Sequence, residues 1–509
     1  MAIRRTYAKT AVLSTILTNL GFIINLVYGR IIADTIPQAD MGIIAAIATL
    51  ATIIEGIAVF GITYTITQKT SSTLGKGEVD KAKGILAKGL LVFYAVTIPL
   101  SIILCLSTLF ILYFFFFYNL FFWGGLLSLY ILLLLVMRSE SESMSSMAET
   151  DNTVVFTNLR RYLSWFLSLL FLFLLLSFVG VIFGWVLSLA IFIVMGSFVV
   201  ARYVRGAKIR NGLPVRTYLT FGIPIFVAAV IRLFGRYIDQ LYVLALMTSE
   251  ELARYFLVVR LTGALTDFSL SLVAGVFALL AVLVGTSLER MQQAHGAVLR
   301  FVLVISTPLF LAVAAFGEPL ALLFIGPNYV GSGILLSILA IAAFFDLIIV
   351  LLIIGRQAAG SPRIVPVTWV GLLGIKLVFV FLLAGFGLMG IALAVLISES
   401  FTALVTYVYM RKEIQVGKFW VKLFFPMIIV LAIGLASTLL GLDVILAVIL
   451  CIVSVIFTIF IGLRLRVLSI DDMSIIQSVV SPKFKWVMEI ILRIGGYPRE
   501  DVPASKKSG

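Results

Sequence analysis

The sequence predicts an all-α polytopic membrane protein with about fourteen transmembrane helices, and three observations carry that expectation. Hydrophobic residues make up 62% of the 509 and charged residues only 12%, and the mean hydropathy is +1.18, values that soluble globular domains do not reach. Apolar runs long enough to cross about 30 Å of hydrocarbon recur between short polar loops. The excess of Lys and Arg, a formal net charge of +14, lies in alternate loops rather than on one basic domain. It reads as a topology signal, and no nucleic-acid partner is expected.

In order, the runs lie near 10–35, 41–66, 85–110, 117–147, 152–176, 180–203, 217–247, 252–285, 293–316, 331–354, 364–384, 386–410, 422–441 and 443–463. Loops beginning at 34, 111, 177, 248, 317, 385 and 441 contain no Lys or Arg. The opposite set is basic, with Lys76, Lys81 and Lys83 in one loop, Arg205, Lys208 and Arg210 in another, and Arg411, Lys412 and Lys418 in a third. Short basic loops resist translocation, so both termini are expected in the cytoplasm and the chain in the cytoplasmic membrane. Span four is ambiguous: Met137–Asp151 is too polar for lipid, so either the helix stops near Met137 or it continues with Arg138, Glu140 and Glu142 turned inward, within reach of Arg160 and Arg161. Pro99, Pro224, Pro308 and Pro426 each remove an intrahelical hydrogen bond, so kinks are expected, with Pro224 beside Gly222 the favoured hinge. Beyond Leu463 the tail is basic and polar, which suits a partly amphipathic helix on the cytoplasmic leaflet, with Pro498 to Gly509 disordered.

Several chemistries drop out. Cys105 and Cys451 sit inside apolar runs, so no disulfide framework or metal site is implied, and His295 is the only histidine. No GxxxxGK[ST] loop is present, so ATP hydrolysis is not the expected driving force.

An internal repeat is visible. Tyr28-Gly29-Arg30-Ile31 resembles Phe234-Gly235-Arg236-Tyr237, Ala82-Lys83-Gly84 resembles Ala294-His295-Gly296, and Thr97-Ile98-Pro99-Leu100 resembles Ser306-Thr307-Pro308-Leu309. The offsets are nearly equal, which predicts two parallel-repeat six-helix lobes, 1–210 and 211–415, followed by two peripheral helices at 416–465 and a cytoplasmic tail at 466–509. Such a repeat implies an axis along the membrane normal, with Arg30 and Arg236 facing each other across a central cavity.

Charges inside the spans mark the candidate site. Arg232, Arg236 and Asp239 fall within roughly 60° on one face of span seven. An arginine or aspartate at mid-membrane costs on the order of 2.5 to 3.5 kcal/mol on insertion scales, so that face is expected to meet protein, water or a polar ligand. Arg236 and Asp239, at i and i+3, either neutralise each other or serve substrate and gating. Arg30 lies near the outer end of its span, where snorkelling to the interface is the competing role. Arg260 and Asp267 share a face of span eight, one contacting substrate while the other pairs with Arg232. Asp346, Lys376 and Glu399 lie at the middle of spans ten, eleven and twelve, and Lys376 neutralising one carboxylate permanently is the bland alternative. Glu55 in span two is an isolated acid.

The order of these features resembles the oligosaccharide and polysaccharide flippases of the multidrug/oligosaccharidyl-lipid/polysaccharide exporter superfamily. The residues that carry the resemblance are Phe221-Gly222-Ile223-Pro224, Tyr237-Ile238-Asp239-Gln240-Leu241, Glu251-Leu252-Ala253-Arg254-Tyr255, Gly326-Pro327-Asn328-Tyr329-Val330 and Gly387-Leu388-Met389-Gly390. Arg254 stands where a glycine is usual in that family.

The resemblance implies a lipid-linked sugar flippase: two lobes around a cavity that opens alternately to each side, with Arg30, Arg232, Arg236 and Arg260 gripping the phosphate headgroup. Guanidinium suits that task because it is always charged, forks its donors to match phosphate oxygens and is weakly hydrated. The resemblance also implies coupling to a Na+ or H+ gradient, for which Glu55, Asp346 and Glu399 are the candidates, while Asp239 and Asp267 are assigned to gating or ion pairing. No catalytic residue, bound metal or cofactor is expected. The implied partners are a lipid-linked saccharide, membrane lipids, and the glycosyltransferases or polymerase of the same pathway. A multidrug exporter of the same superfamily is the alternative, although it would favour an acidic cavity. A membrane-embedded glycosyltransferase or polymerase is a third reading, set back by short outer loops and the lack of an Asp-x-Asp pair.

Overall fold

The computed structural model describes residues 2–116, 121–147, 150–175, 177–272, 288–358, 364–411, 419–470, 472–473 and 492–496. Among them the chain is helical, without strands. The helices are α1 (Ala2–Thr35), α2 (Gln38–Ala58), α3 (Ile62–Gly75), α4 (Val79–Phe116), α5 (Phe121–Ser146), α6 (Thr150–Leu175), α7 (Val179–Val204), α8 (Val215–Leu246), α9 (Ser249–Ser271), α10 (Leu288–Ala315), α11 (Gly317–Phe324), α12 (Ser332–Ala358), α13 (Ile364–Leu383), α14 (Gly387–Met410), α15 (Phe419–Leu439) and α16 (Val444–Arg464). Ten stretches of the described residues are long and apolar enough to cross a membrane, one of which, Ile364–Met410, holds both α13 and α14. The protein is therefore a polytopic all-α membrane protein.

Local sequence explains several boundaries. Thr248 and Glu251 form a capping box: the Thr248 backbone N–H donates to Glu251 Oε2 at 3.1 Å and the Glu251 N–H donates to Thr248 Oγ1 at 3.3 Å, starting α9. Asp443 caps α16 by accepting from the Ile445 N–H at 3.0 Å. Two expectations change. The run 41–66 is not one helix, because the chain breaks after Ala58, with Phe60 at φ 49° and Gly61 at φ 67°, before α3 begins. Span four resolves in favour of continuation, since α5 runs through Arg138, Glu140 and Glu142 to Ser146.

The chain divides into two compact units. One comprises Met1–Arg30 and Tyr255–Gly509, the other Ile31–Arg254. These boundaries differ from the repeat halves: most of α1 belongs with the helices after Arg254, and α8 belongs with the helices before it.

In the Ile31–Arg254 unit, α6 and α7 form a hairpin whose backbones touch. A Cβ on Gly184 would collide with the Ser168 backbone, and Ser168 Oγ donates to the Val181 carbonyl at 3.1 Å, the small-residue packing by which helices associate in lipid. Met137, Leu189 and Phe192 form a buried core between α5 and α7. The α2–α3 break rests on α8, where a Cβ on Gly61 would strike the Gly222 carbonyl and the Phe60 and Phe226 rings sit 4.6 Å apart. Pro224, two residues further along α8, deprives the carbonyl one turn earlier of its donor. The favoured hinge thus meets a second interruption.

In the other unit, α15 and α16 pack on α10 and on each other. Gly434 closes on Ala315 too tightly for a Cβ. His295 is buried against Gly355 and its Nε2 lies 2.8 Å from the Leu351 carbonyl. The start of the segment after α16 also docks here, whereas residues 474–491, on which the expectation of an amphipathic helix on the leaflet rests, lie outside the described residues. Asp472 accepts from Arg300 Nε at 2.9 Å and from Arg300 Nη2, while Ser469 and Asp472 exchange backbone and side-chain hydrogen bonds in a cap. Leu468 and Met473 are buried beside them. Val487 and Met488 and the stretch Pro498 to Gly509 lie outside the described residues.

Candidate functional site

The arginine-bearing face of α8 follows from its packing within the Ile31–Arg254 unit. Gly235, Asp239, Gln240, Val243 and Leu244 are buried, and Gln240 Oε1 accepts from Thr49 Oγ1 of α2 at 3.1 Å. That contact fixes the helix rotation. Arg232 and Arg236, one turn apart, are exposed. The three charges that the helical wheel places on one face are therefore treated differently: the aspartate is only 4% exposed, and both guanidiniums stay accessible. Mid-helix arginines cannot rest in hydrocarbon, so the accessible side of α8 requires an aqueous or ionic surrounding.

Within the same unit, Glu55 of α2 is half-buried and feels the charges of Arg138 on α5 and Arg160 on α6. Around it runs a hydroxyl-rich seam. Arg138 and Glu142 pair at 3.3 Å, Thr67 Oγ1 donates to Glu142 at 3.0 Å, Ser197 Oγ donates to Glu140 at 2.7 Å, and Tyr94 and Ser139 share a 2.6 Å hydrogen bond. The serines and acids that make 137–147 too polar for lipid are spent in this seam. Gly196 makes room for the Glu140 carboxyl, which a Cβ there would displace.

The other unit holds the remaining candidates. Arg260 of α9 donates from Nε and Nη2 to Asn25 Oδ1 of α1, the first at 3.1 Å, and its guanidinium lies 4.8 Å over the Tyr28 ring. Both partners are uncharged. The positive charge is thus oriented without being cancelled, since a cation–π contact and an amide oxygen leave the net charge in place. Arg30 Nη1 donates to the Leu322 carbonyl at 2.8 Å. Leu322 sits in the last turn of α11, so Arg30 caps a helix C-terminus, where an orphan carbonyl and the negative end of the dipole favour a cation. That is a structural task beyond the snorkelling considered for it.

Lys376 Nζ lies 2.9 Å from Glu399 Oε1, with the two residues only 2% and 5% exposed. This is the geometry of the bland alternative for Glu399, whose carboxylate faces an ammonium inside the unit. Asp346 on α12 is half-buried and makes no ion pair among the described residues. Asp267 is exposed on α9.

Asn25, Tyr28, Gln240 and the Arg300–Asp472 pair escaped the sequence reading. Asn25 had a signal, as a lone amide among Phe22, Ile23, Ile24, Leu26 and Val27. For the other three the partner lies far along the chain, and no local pattern points to it.

An apolar helical chain with arginines inside its spans, two of them accessible on α8 and one held by uncharged ligands, defines a class of polytopic membrane protein with a polar interior. The match to known families narrows it. The model of the polysaccharide biosynthesis protein family matches residues 7–277, just over half of the chain, and the protein belongs to that family. No curated protein sequence matches it.

Among solved structures the fold is similar to the lipid II flippase MurJ in an inward closed conformation, at 12% identity and a TM-score of 0.62 over 89% of this chain and 99% of that one. It is also similar to an inward-facing multidrug resistance MATE family transporter of the MOP superfamily, at 14% identity and a TM-score of 0.61 over 80% of this chain and 98% of that one. A MOP superfamily transporter from Pyrococcus furiosus, described by the reverse polarity of its binding pocket, aligns at 14% identity and a TM-score of 0.52 over 81% of this chain and 96% of that one. The fold is that of the MOP superfamily.

Proposed function

We propose that the protein translocates a polyprenyl phosphate- or pyrophosphate-linked oligosaccharide across the cytoplasmic membrane by alternating access, for cell-surface polysaccharide or glycoprotein biosynthesis. The observation that carries this reading is the accessibility of Arg232 and Arg236 on an apolar, span-length helix. In the other unit, Arg260 is a further cation within a span, and its ligands Asn25 and Tyr28 are uncharged. Together these suit an anionic headgroup and disfavour organic cations, which sets the multidrug reading behind. The family match and the MurJ-like fold support the choice of a lipid-linked saccharide as cargo.

The energetic task is clear. Each sugar hydroxyl dragged through hydrocarbon unpaired would cost roughly 4 to 8 kcal/mol on an alkane scale. A polar passage for the sugar, with the isoprenoid tail left in lipid, removes that cost. Both termini are cytoplasmic in this reading, and the enzymes that build and polymerise the saccharide are its partners. A Na+ or H+ gradient drives the cycle, with Asp346 and Glu55 the acids still available for coupling, because Lys376 occupies Glu399.

The test is reconstitution in liposomes with a fluorescent lipid-linked saccharide, scored by the fraction reaching the opposite leaflet with and without an imposed Na+ or H+ gradient. Movement of the saccharide is the expected result. Efflux of organic cations with the saccharide immobile would replace the proposal by the drug exporter.

A further inference from the structure

Two basic loops more than a hundred residues apart in sequence are joined in the Ile31–Arg254 unit. The short 3-10 turn Ile209–Asn211 between α7 and α8 lies on the first turns of α4. Glycines make the approach: a Cβ on Gly84 would come 2.8 Å from the Lys208 carbonyl oxygen, and one on Gly212 would come 2.6 Å from the Lys88 Cβ. One turn later Tyr218 Oη donates to the Ile85 carbonyl at 2.8 Å, pinning the start of α8 to the same helix. The loop is seated rather than draped.

Seating it there gathers Lys81, Lys83 and Lys88 of α4 with Arg205, Lys208 and Arg210. Lys81, Arg205, Lys208 and Arg210 are exposed, and Lys83 and Lys88 half-buried. The nearby acids are Asp80 and Glu78, the latter paired with Lys81 at 2.8 Å. Like charges held together repel, so a fold that locks them in place stores a demand for anions.

Apolar side chains are interleaved with the cations. Ile209, between Lys208 and Arg210, is 49% exposed, Val215 is 49% exposed and Val79 is 44% exposed. Basic residues alternating with exposed aliphatic ones, at the ends of membrane-spanning helices, match the headgroup zone of a bilayer, where phosphates meet the upper acyl chains. An acidic soluble partner would satisfy the charges and leave Ile209 without use.

We infer that this seated loop and the start of α4 form a binding surface for anionic phospholipid headgroups, with the cations on the phosphates and Ile209 inserted beneath them. It lies on the unit that carries Arg232 and Arg236, and it needs no saccharide. Its ligand is thus distinct from the transported one.

The test uses the full-length protein in mixed micelles of phosphatidylglycerol and phosphatidylcholine, with retained lipids counted by native mass spectrometry. Lys208→Glu with Arg210→Glu is expected to lower phosphatidylglycerol retention about tenfold, from the loss of at least one cation's worth of attraction to an anionic surface, and the neutral pair Lys208→Gln with Arg210→Gln serves if the reversed pair misfolds. Ile209→Ser is expected to weaken retention with every charge intact, whereas Arg411→Glu, in a different loop, leaves it unchanged. Wild-type retention by the charge variants would overturn the inference. So would displacement of the lipid by an equal concentration of inorganic phosphate, or tight binding of a polyglutamate peptide that ignores Ile209→Ser. Because no flipping is measured, failure of the flippase reading leaves this result standing, and the reverse holds too.

Discussion

The two compact units differ in how they satisfy their most buried charges. In the unit formed by Met1–Arg30 and Tyr255–Gly509, two buried charges meet partners of opposite sign, Lys376 with Glu399 and Arg300 with Asp472, while Arg260 is held by the Asn25 amide and the Tyr28 ring. In the Ile31–Arg254 unit, Glu140 Oε1 accepts from the Ser197 hydroxyl while its Oε2 is buried without a hydrogen-bond partner among the described residues, Glu142 takes Thr67 as well as Arg138, and Gln240 takes Thr49. There Arg232 and Arg236 remain accessible. A buried pair resists change, because removing one partner strands a buried charge. The Ile31–Arg254 unit meets buried acids with hydroxyls and keeps Arg232 and Arg236 at accessible positions.

Substitutions can break or sharpen that contrast. The largest effect is expected for Lys376→Ala, which strands Glu399 in a dry environment and should cost about 3 to 5 kcal/mol. Thermal unfolding in detergent would register it. Replacing both members, Lys376→Met with Glu399→Leu, should recover most of the loss, since well-packed apolar residues often equal a buried pair. A double variant as weak as the single one would mean the pair holds more than its own charge.

Asp472→Asn should cost about 2 kcal/mol by removing a charge-assisted bidentate contact. Limited proteolysis should then cut the chain after Leu465, where the intact protein resists. Ser197→Ala, in the hydroxyl-built unit, should cost about 1 kcal/mol. If it proved as damaging as Lys376→Ala, the contrast between the units would fail. Arg232→Ala, at an exposed position, should change stability by about 0.5 kcal/mol or less, well below the effect of Lys376→Ala.

The part legible in the sequence was the part governed by local physics. Apolar run length placed the helices, and α13 and α14 fall at 364–383 and 387–410 against expected spans of 364–384 and 386–410. The break after Ala58 was hidden because 41–66 contains no proline and only one charge, Glu55, and its trace is Gly61, which takes a positive φ beside Phe60. Asp239 shows the limit of the helical wheel. Geometry puts it with Arg232 and Arg236, yet the seating of α8 on α2 through Thr49 and Gln240 buries it and leaves the arginines out. Arg260 was nominated from its own span, but the residues that orient it come from α1, a tertiary fact with no local signature.

The central claim is that accessible guanidiniums on α8 serve an anionic lipid-linked cargo and do not hold the fold together. The most direct measurement is saccharide flipping in liposomes by Arg232→Ala, Arg236→Ala and the double variant, each first shown to unfold at the wild-type temperature. The account predicts loss of flipping in both single variants, with at least partial return when lysine replaces arginine, because charge without the planar fork satisfies only part of the requirement. Wild-type flipping by the double alanine variant, folded and inserted, would contradict it.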